Sequence, residues 1–200
     1  MKKVLFLLVL FSSLVFANER ILLNVIKNVS IPNVQNTIEN AKILQQDLNT
    51  QNFTNFLQSW KKVEALYFAG DLNEDFLDTP RYIDIFNNLK EDLNSQMKMV
   101  IESKDDAKTA LFKNSFKTIN ALEYVIFNDN EISKRQKELS IVILNSMISH
   151  LEEIKTVYET YLLKPTKDEK WENALVINTL IASSYRLKEW RIGNASGNSS

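Results

Sequence analysis

The chain contains no cysteine and one histidine, and both scarcities exclude classes of site. Without cysteine there are no disulfides, thiol nucleophiles or cysteine-ligated metals. With His150 alone, a self-contained site that needs two histidines is excluded, including the zinc-protease pattern with two histidines one helical turn apart. Neither sign of charge dominates, because 24 lysines and arginines nearly balance 25 aspartates and glutamates. The absence of a basic stripe argues against a nucleic-acid partner.

Glycine and proline are also scarce, with three of each in 200 residues. Stretches free of both residues favour long helices, and the β-branched residues recur at helical spacing. These patterns predict an all-α fold, an antiparallel bundle of about six helices. The predicted helices span residues 32–51, 54–69, 80–102, 106–128, 133–163 and 167–192. Pro32 and Pro80 stand at two predicted helix starts, and Ser133 forms a capping box with Gln136 at a third.

The first residues have the features of an export signal. The sequence MKKVLFLLVLFSSLVFA combines two lysines, an apolar stretch and a cleavage pattern ending at Ala17. We expect a signal peptide over 1–17, a helical domain over 18–192 and a flexible polar tail over 193–200. The expected location is the periplasm, with no transmembrane span after cleavage, and an uncleaved inner-membrane anchor is the lesser alternative. No cysteine follows the signal, which excludes a lipoprotein anchor there.

One carboxylate falls on a predicted apolar face. At roughly 100° per residue, helix 106–128 has an inward stripe with Glu123 at its centre and Asn120 at its edge. The apolar members of this stripe are Phe112, Phe116, Ile119, Ile126 and Phe127. A buried carboxylate costs several kcal/mol unless it is paired, hydrogen-bonded or protonated. We therefore expect Glu123 to point into the core, where it either contacts a ligand or forms a structural hydrogen bond.

Two other predicted helices carry polar residues near their apolar stripes. His150 lies within the stripe of helix 133–163, and Glu64 lies at the margin of the stripe of helix 54–69, one turn after Trp60. In a bundle such residues can converge on the interior, which is a common way of holding a metal. A structural interpretation stands beside each. A lone histidine is more often a satisfied core residue, Glu64 a salt-bridged residue, and Trp60 a packing residue.

Three segments in succession resemble the imelysin family. TINALEYVIF, residues 118–127, is similar to the family signature Gly-x-His-x-x-Glu followed by an aromatic residue. SWKKVEALYFAGD, residues 59–71, resembles the family's earlier segment, a tryptophan followed by an acidic residue, an aromatic pair and a glycine. RYIDIF, residues 81–86, resembles the Ile-Asp-aromatic segment that comes next. The similarity is good over about residues 30–130 and looser elsewhere.

The resemblance implies an exported bacterial helical protein tied to uptake of iron or another metal. The family glutamate corresponds to Glu123, but Asn120 stands in place of the family histidine and Thr118 in place of the glycine. Because a carboxamide binds zinc or iron more weakly than imidazole does, we expect iron or another divalent cation to be weakly bound at most. The candidate metal or ligand-binding residues are Glu123, Asn120, Glu64, Asp84 and His150, and the residues expected to line the site are Trp60, Tyr67 and Tyr124.

Three functions are compatible with these features. The leading hypothesis is a non-catalytic binding protein of the periplasm or cell envelope, in the periplasm or peripheral to the outer membrane, that serves iron or other metal acquisition. Its partner is a metal ion or an envelope protein. The alternative is an envelope protein-interaction module that has no metal site. The third is a metallopeptidase, which requires His150 to approach Glu123 because the motif histidine is absent.

Overall fold

The computed structural model describes residues 20–85 and 92–188, so the predicted signal peptide and polar tail lie outside the described residues. The first half consists of α1 (Ile21–Val25), a π-helical turn (Ile26–Ser30), α2 (Ile31–Gln46), α3 (Thr50–Ala65), α4 (Ala69–Leu72), a 3-10 turn (Glu74–Phe76) and α5 (Thr79–Ile83). The second half consists of α6 (Leu93–Glu102), α7 (Ala107–Ala110), a 3-10 turn (Asn114–Lys117), α8 (Ile119–Phe127), α9 (Lys134–Leu163) and α10 (Glu169–Arg186). The described residues contain no strand, which confirms the all-α prediction.

α2 is central to the core, because its contacts with α3 and with α9 are the two most extensive between helices of the described residues. A three-residue connection joins α2 to α3, as is typical of antiparallel neighbours in a bundle. The largest fully buried side chains include Trp60, Tyr158, Phe56, Phe68, Ile38, Leu44 and Leu122. α8 and α6 pack against one another, and α8 also packs on α9. No helix in the described ranges is both long and apolar enough to cross a bilayer.

The predicted capping box at the start of α9 is confirmed. Ser133 Oγ accepts from Gln136 N at 3.2 Å, and Gln136 Oε1 accepts from Ser133 N at 2.9 Å. Gln136 also donates from Nε2 to Val125 O at 3.0 Å, which ties α9 to α8. Reciprocal capping satisfies two backbone groups that the first turn leaves unpaired. The α9 boundaries therefore agree with the predicted 133–163.

Pro32 stands in the first turn of α2, as predicted, but the helical segment begins before it. The chain is already helical from Ile21, and the π-helical turn Ile26–Ser30 ends just before the proline. A proline within a helix lacks the N–H that would bond four residues back, and its ring collides with that carbonyl. The wider π turn accommodates both defects without ending the helix.

Two long predicted helices are broken. In place of 80–102, α5 ends at Ile83 and α6 begins at Leu93, with Asp84 in extended backbone at φ −139° and ψ 116°. In place of 106–128, the chain leaves α7 at Leu111 and re-enters a helix only at Ile119. No proline or glycine marks the second break. A capping side chain does mark its end, because the Thr118 hydroxyl accepts from Ala121 N at the start of α8.

The connection between α3 and α5 is held close to α9. Tyr158, buried on α9, accepts a hydrogen bond from Phe68 N at 3.1 Å. Within the connection, a Cβ on Gly70 would lie 2.8 Å from Leu77 Cα, closer than real Cβ atoms approach backbone. Glycine at position 70 therefore permits this close approach. The result is a compact segment that leads from α3 into α5 and positions Asp84.

The two ends of the described chain are joined by a buried ion pair. Glu172 on α10 has no solvent exposure, and its carboxylate accepts from Arg20 Nε at 2.7 Å and Nη2 at 2.5 Å. Tyr161 on α9 donates to the same carboxylate at 2.6 Å. Burial and the hydrogen bond to Glu172 raise the pKa of Tyr161 above its ordinary value. This network fastens α10 to the N-terminal helix and to α9.

Candidate functional site

Lys61 joins two of the predicted ligands. Its Nζ lies 2.9 Å from Glu64 Oε2, and the same ammonium forms an ion pair with Asp84 Oδ2. The Asp84 side chain is 6 % exposed, whereas the side chains of Lys61 and Glu64 are about a third and a quarter exposed, at 32 % and 26 %. α3 contributes Lys61 and Glu64, and the end of α5 contributes Asp84. A resident ammonium therefore occupies the position between these carboxylates.

Asp84 does not belong to a helix, although it falls within the predicted helix 80–102. It follows the last residue of α5, and its extended backbone turns the side chain towards Lys61. The next residue is tied to α8, because Asn120 Nδ2 donates to Ile85 O at 2.9 Å. The three segments that suggested a family resemblance therefore meet: α3 through Lys61, the end of α5 through Asp84, and α8 through Asn120.

Glu123 is exposed, which corrects the prediction that it points into the core. The predicted stripe assumed one continuous helix, but the break before Ile119 removes any fixed relation between the faces of α7 and α8. Phe112, a member of that stripe, is accordingly 71 % exposed. The buried residues of α8 are Ile119, Ala121, Leu122, Val125 and Ile126. Glu123 and Phe127 lie on the other side of the helix.

The Glu123 carboxylate borders a shallow polar depression of about 660 Å³. The depression lies between α8 and the start of α6, and its lining residues are Asp92, Leu93, Asn94, Asn120, Glu123, Tyr124, Phe127 and Asn128. Asp92 caps α6, and hydrogen bonds from the side chain and backbone of Ser95 lower the pKa of its carboxyl. Carboxylate and amide oxygens together suit hard cations such as Ca²⁺ or Mg²⁺. Glu123, Asn120 and Tyr124 thus share one cavity.

His150 lies elsewhere on the bundle. Its Nδ1 is 3.2 Å from Glu153 Oε2, one turn further along α9, and its ring lies against Tyr82 of α5 with 5.4 Å between centroids. The rest of the predicted stripe of α9, including Ile143 and Ile154, is buried, but His150 is only partly so. His150 and Glu123 share none of the cavities and hydrogen bonds found among the described residues.

Trp60 and Tyr67 are structural residues in this arrangement. Trp60 is fully buried in the core. Tyr67 donates to Phe76 O at 2.6 Å, and burial raises its pKa to about 12. Of the three residues expected to line a site, Tyr124 alone borders the depression beside Glu123.

Lys61 is the residue that the sequence interpretation missed. Its spacing of three residues before Glu64 was the available signal, because such pairs lie on one helix face. Its pairing with Asp84, 23 residues away, had no sequence signal. Among the described residues, no three histidine or carboxylate side chains form a group that could hold a metal ion. The Lys61 ammonium lies between the carboxylates of Glu64 and Asp84, and the Asn120 amide donates to the backbone. These residues of the matched segments therefore do not fit a catalytic metal centre.

Comparison with known proteins agrees with the three matched segments. The family profile Peptidase_M75, Imelysin, matches residues 30–200. No curated protein and no solved structure matches the chain. The matched region covers most of the chain and includes every candidate site residue. The chain therefore belongs to the imelysin family.

Proposed function

We propose that this chain is an exported, non-catalytic binding protein of the periplasm or cell envelope that serves acquisition of iron or another metal. The observation that carries the non-catalytic part is the ammonium of Lys61 between Glu64 and Asp84. A hydrolytic metal centre commonly needs three protein ligands and an open position for water. Here one ammonium of the protein itself pairs with two acidic residues of the matched segments. Export is supported by the signal-like residues 1–17.

Metal contact in this proposal takes place at the depression beside Glu123. Two carboxylates border it, Glu123 and Asp92, together with the amides of Asn94, Asn120 and Asn128. Oxygen ligands favour a hard cation, and an open depression with only two formal charges supports weak binding. Residues of the chain would bind and orient such an ion without activating a water molecule for hydrolysis.

Thermal unfolding with added metal tests this proposal. Addition of Fe²⁺, Mn²⁺, Ca²⁺ or Mg²⁺ should raise the Tm in a concentration-dependent way, because an ion that binds only the folded state stabilises it. The shift should disappear in Glu123→Gln, which keeps the shape but removes the charge, and persist in Glu138→Gln, an exposed site on α9. Metal binding at this depression is refuted if no ion shifts the Tm, or if both variants respond as the unmodified chain does.

The alternative function is an envelope protein-interaction module with no metal site. It is favoured by the exposure of Phe127, 41 %, on the same side of α8 as Glu123. In that case metal ions do not shift the Tm of the unmodified chain or of Glu123→Gln, and the variant still folds. A metallopeptidase requires chelator-sensitive cleavage of a peptide library that is lost in Glu123→Ala, and that result would overturn the non-catalytic proposal.

A further inference from the structure

The last described helix, α10, has apolar residues on both sides. Its inner side packs on the bundle through Leu175, Val176 and Thr179. On the opposite side, three large apolar side chains each expose more than half of their surface. These residues, called the outer face below, are Ile177 (57 %), Ile181 (63 %) and Tyr185 (57 %). Leu180 and Leu187 are also exposed, but they line a cavity that α10 shares with Lys61 and Glu64 of α3. A helix that is apolar all round is typical of one covered on both sides, so the outer face is suited to a second contact.

The size of the outer face supports this interpretation. Each of its side chains presents on the order of 100 Å² of apolar surface, so that the three present roughly 300 Å². A typical monomer's largest apolar patch is about 300–600 Å² and is often functional. The patch is also continuous along the helix, because residues 173–185 include no charged side chain.

Cationic residues flank the uncharged stretch of α10 in the sequence. Cations lie on both sides of the uncharged stretch, with Lys164, Lys167 and Lys170 before it and Arg186 and Lys188 after it. Segment 164–188 has five cationic and three anionic residues, whereas the whole chain has a net charge of −1. One of the three anions, Glu172, is buried and paired with Arg20. Apart from Glu172, segment 164–188 therefore has five cationic and two anionic residues, on a protein that is slightly acidic overall.

We propose that the outer face of α10 binds an anionic lipid surface, with the helix lying in the plane of the membrane. Apolar side chains of an amphipathic helix enter the boundary between headgroups and acyl chains, while flanking lysines and arginines contact lipid phosphates. Tyr185 suits this boundary because its ring is apolar and its hydroxyl is polar. The inference rests on the proposed export, which brings the folded protein to a membrane surface. It would keep the depression beside Glu123 at the envelope without a lipid anchor.

A second copy of the chain fits the outer face less well. Pairing two such helices antiparallel brings the N-terminal end of one against the C-terminal end of the other, and both ends carry an excess of cations. The two faces together would bury roughly 600 Å² of apolar surface, whereas a stable interface needs about 1,000 Å² or more. An anionic surface instead offers opposite charge to both ends of the helix.

Vesicle sedimentation tests the proposal. The chain from Asn18 to Ser200 contains every described residue and lacks the apolar leader, which would itself bind lipid. It should sediment with vesicles of phosphatidylcholine mixed with phosphatidylglycerol, and much less with phosphatidylcholine alone. Added salt should weaken the binding, and Lys170→Gln should weaken it on the order of fivefold.

Two double variants decide whether the outer face is responsible. Ile177→Asn with Ile181→Asn should abolish binding to the anionic vesicles, while Phe112→Asn with Ile141→Asn, at exposed positions on other parts of the bundle, should retain it. Circular dichroism checks that both variants fold. Absence of binding, or equal binding by both variants, overturns the proposal. The proposal is also overturned if sedimentation equilibrium without lipid shows a dimer of the unmodified chain that Ile177→Asn with Ile181→Asn dissociates. Metal titration is a separate measurement, so its failure leaves this result interpretable.

Discussion

Removal of the Arg20 guanidinium should destabilise the fold far more than removal of a surface cation. In Arg20→Ala, the buried carboxylate of Glu172 loses both guanidinium hydrogen bonds and keeps only the one from Tyr161. Breaking a buried ion pair from one side costs about 3–5 kcal/mol, because the remaining charge is buried without compensation. Arg20 is 28 % exposed and therefore partly hydrated, which places the expected loss near the lower value, about 3 kcal/mol.

Urea denaturation followed by circular dichroism measures this loss directly. The expected change is a large part of the stability of a typical domain, about 5–15 kcal/mol, and corresponds to a fall in Tm on the order of 10 °C. The matched control is Lys134→Ala, because Lys134 and Glu138 form an exposed pair at 3.9 Å. That variant should lose less than about 1 kcal/mol.

A double-mutant cycle separates the ion pair from simple loss of packing. With Glu172→Gln in place, the buried charge is absent, so that adding Arg20→Ala should cost clearly less than it does in the unmodified chain. The reasoning is refuted if Arg20→Ala alone costs less than about 1 kcal/mol. It is equally refuted if the two substitutions are additive.

Two further outcomes follow from the site and the core. In Lys61→Met, Glu64 and Asp84 lose the ammonium of Lys61. Mn²⁺ should then raise the Tm of this variant more than it raises the Tm of the Lys62→Met control. Equal shifts in Tm would show that the two carboxylates cannot bind an ion. Burial raises the pKa of Tyr158, so the folded state keeps a phenolic proton that the unfolded chain loses from about pH 10 upwards. Stability should therefore fall above that pH by about 1.4 kcal/mol per pH unit from this residue, and urea midpoints at about pH 9 and 11 should show a shallower fall in Tyr158→Phe.

Local signals predicted the elements whose stability is local. The start of α9 was predictable because Ser133 and Gln136 cap each other, and its interior has no residue that interrupts a helix. The scarcity of glycine and proline likewise predicted the all-α class. The helical residues before Pro32 were not predicted, because their continuation into α2 depends on whether the preceding turn, Ile26–Ser30, can widen.

The orientation of Glu123 was mispredicted because the stripe was drawn over one helix of residues 106–128, whereas the chain leaves the helix at Leu111 without a proline or glycine to signal it. Within α8 alone, Leu122 and Val125 mark the buried side, and Glu123 lies off it. Burial of Leu111 and Phe116 on either side of that break is a tertiary effect. The same limitation applies to Asp84, whose partner Lys61 is close only in the folded chain. Tertiary contacts therefore determine the break before α8 and the pairing of Asp84 with Lys61.

The Arg20 and Glu172 pair also constrains the order in which the protein folds. Its members are 152 residues apart, so one of the most widely separated contacts of the structure joins the beginning of the domain to its last described helix. A contact of such separation cannot form before nearly the whole chain is available, and loop closure makes it slow to form. During vectorial passage from N-terminus to C-terminus, the N-terminal helix must wait unpaired until α10 arrives. If the chain is exported unfolded, as proposed above, this arrangement would delay completion of the fold until the crossing is almost finished.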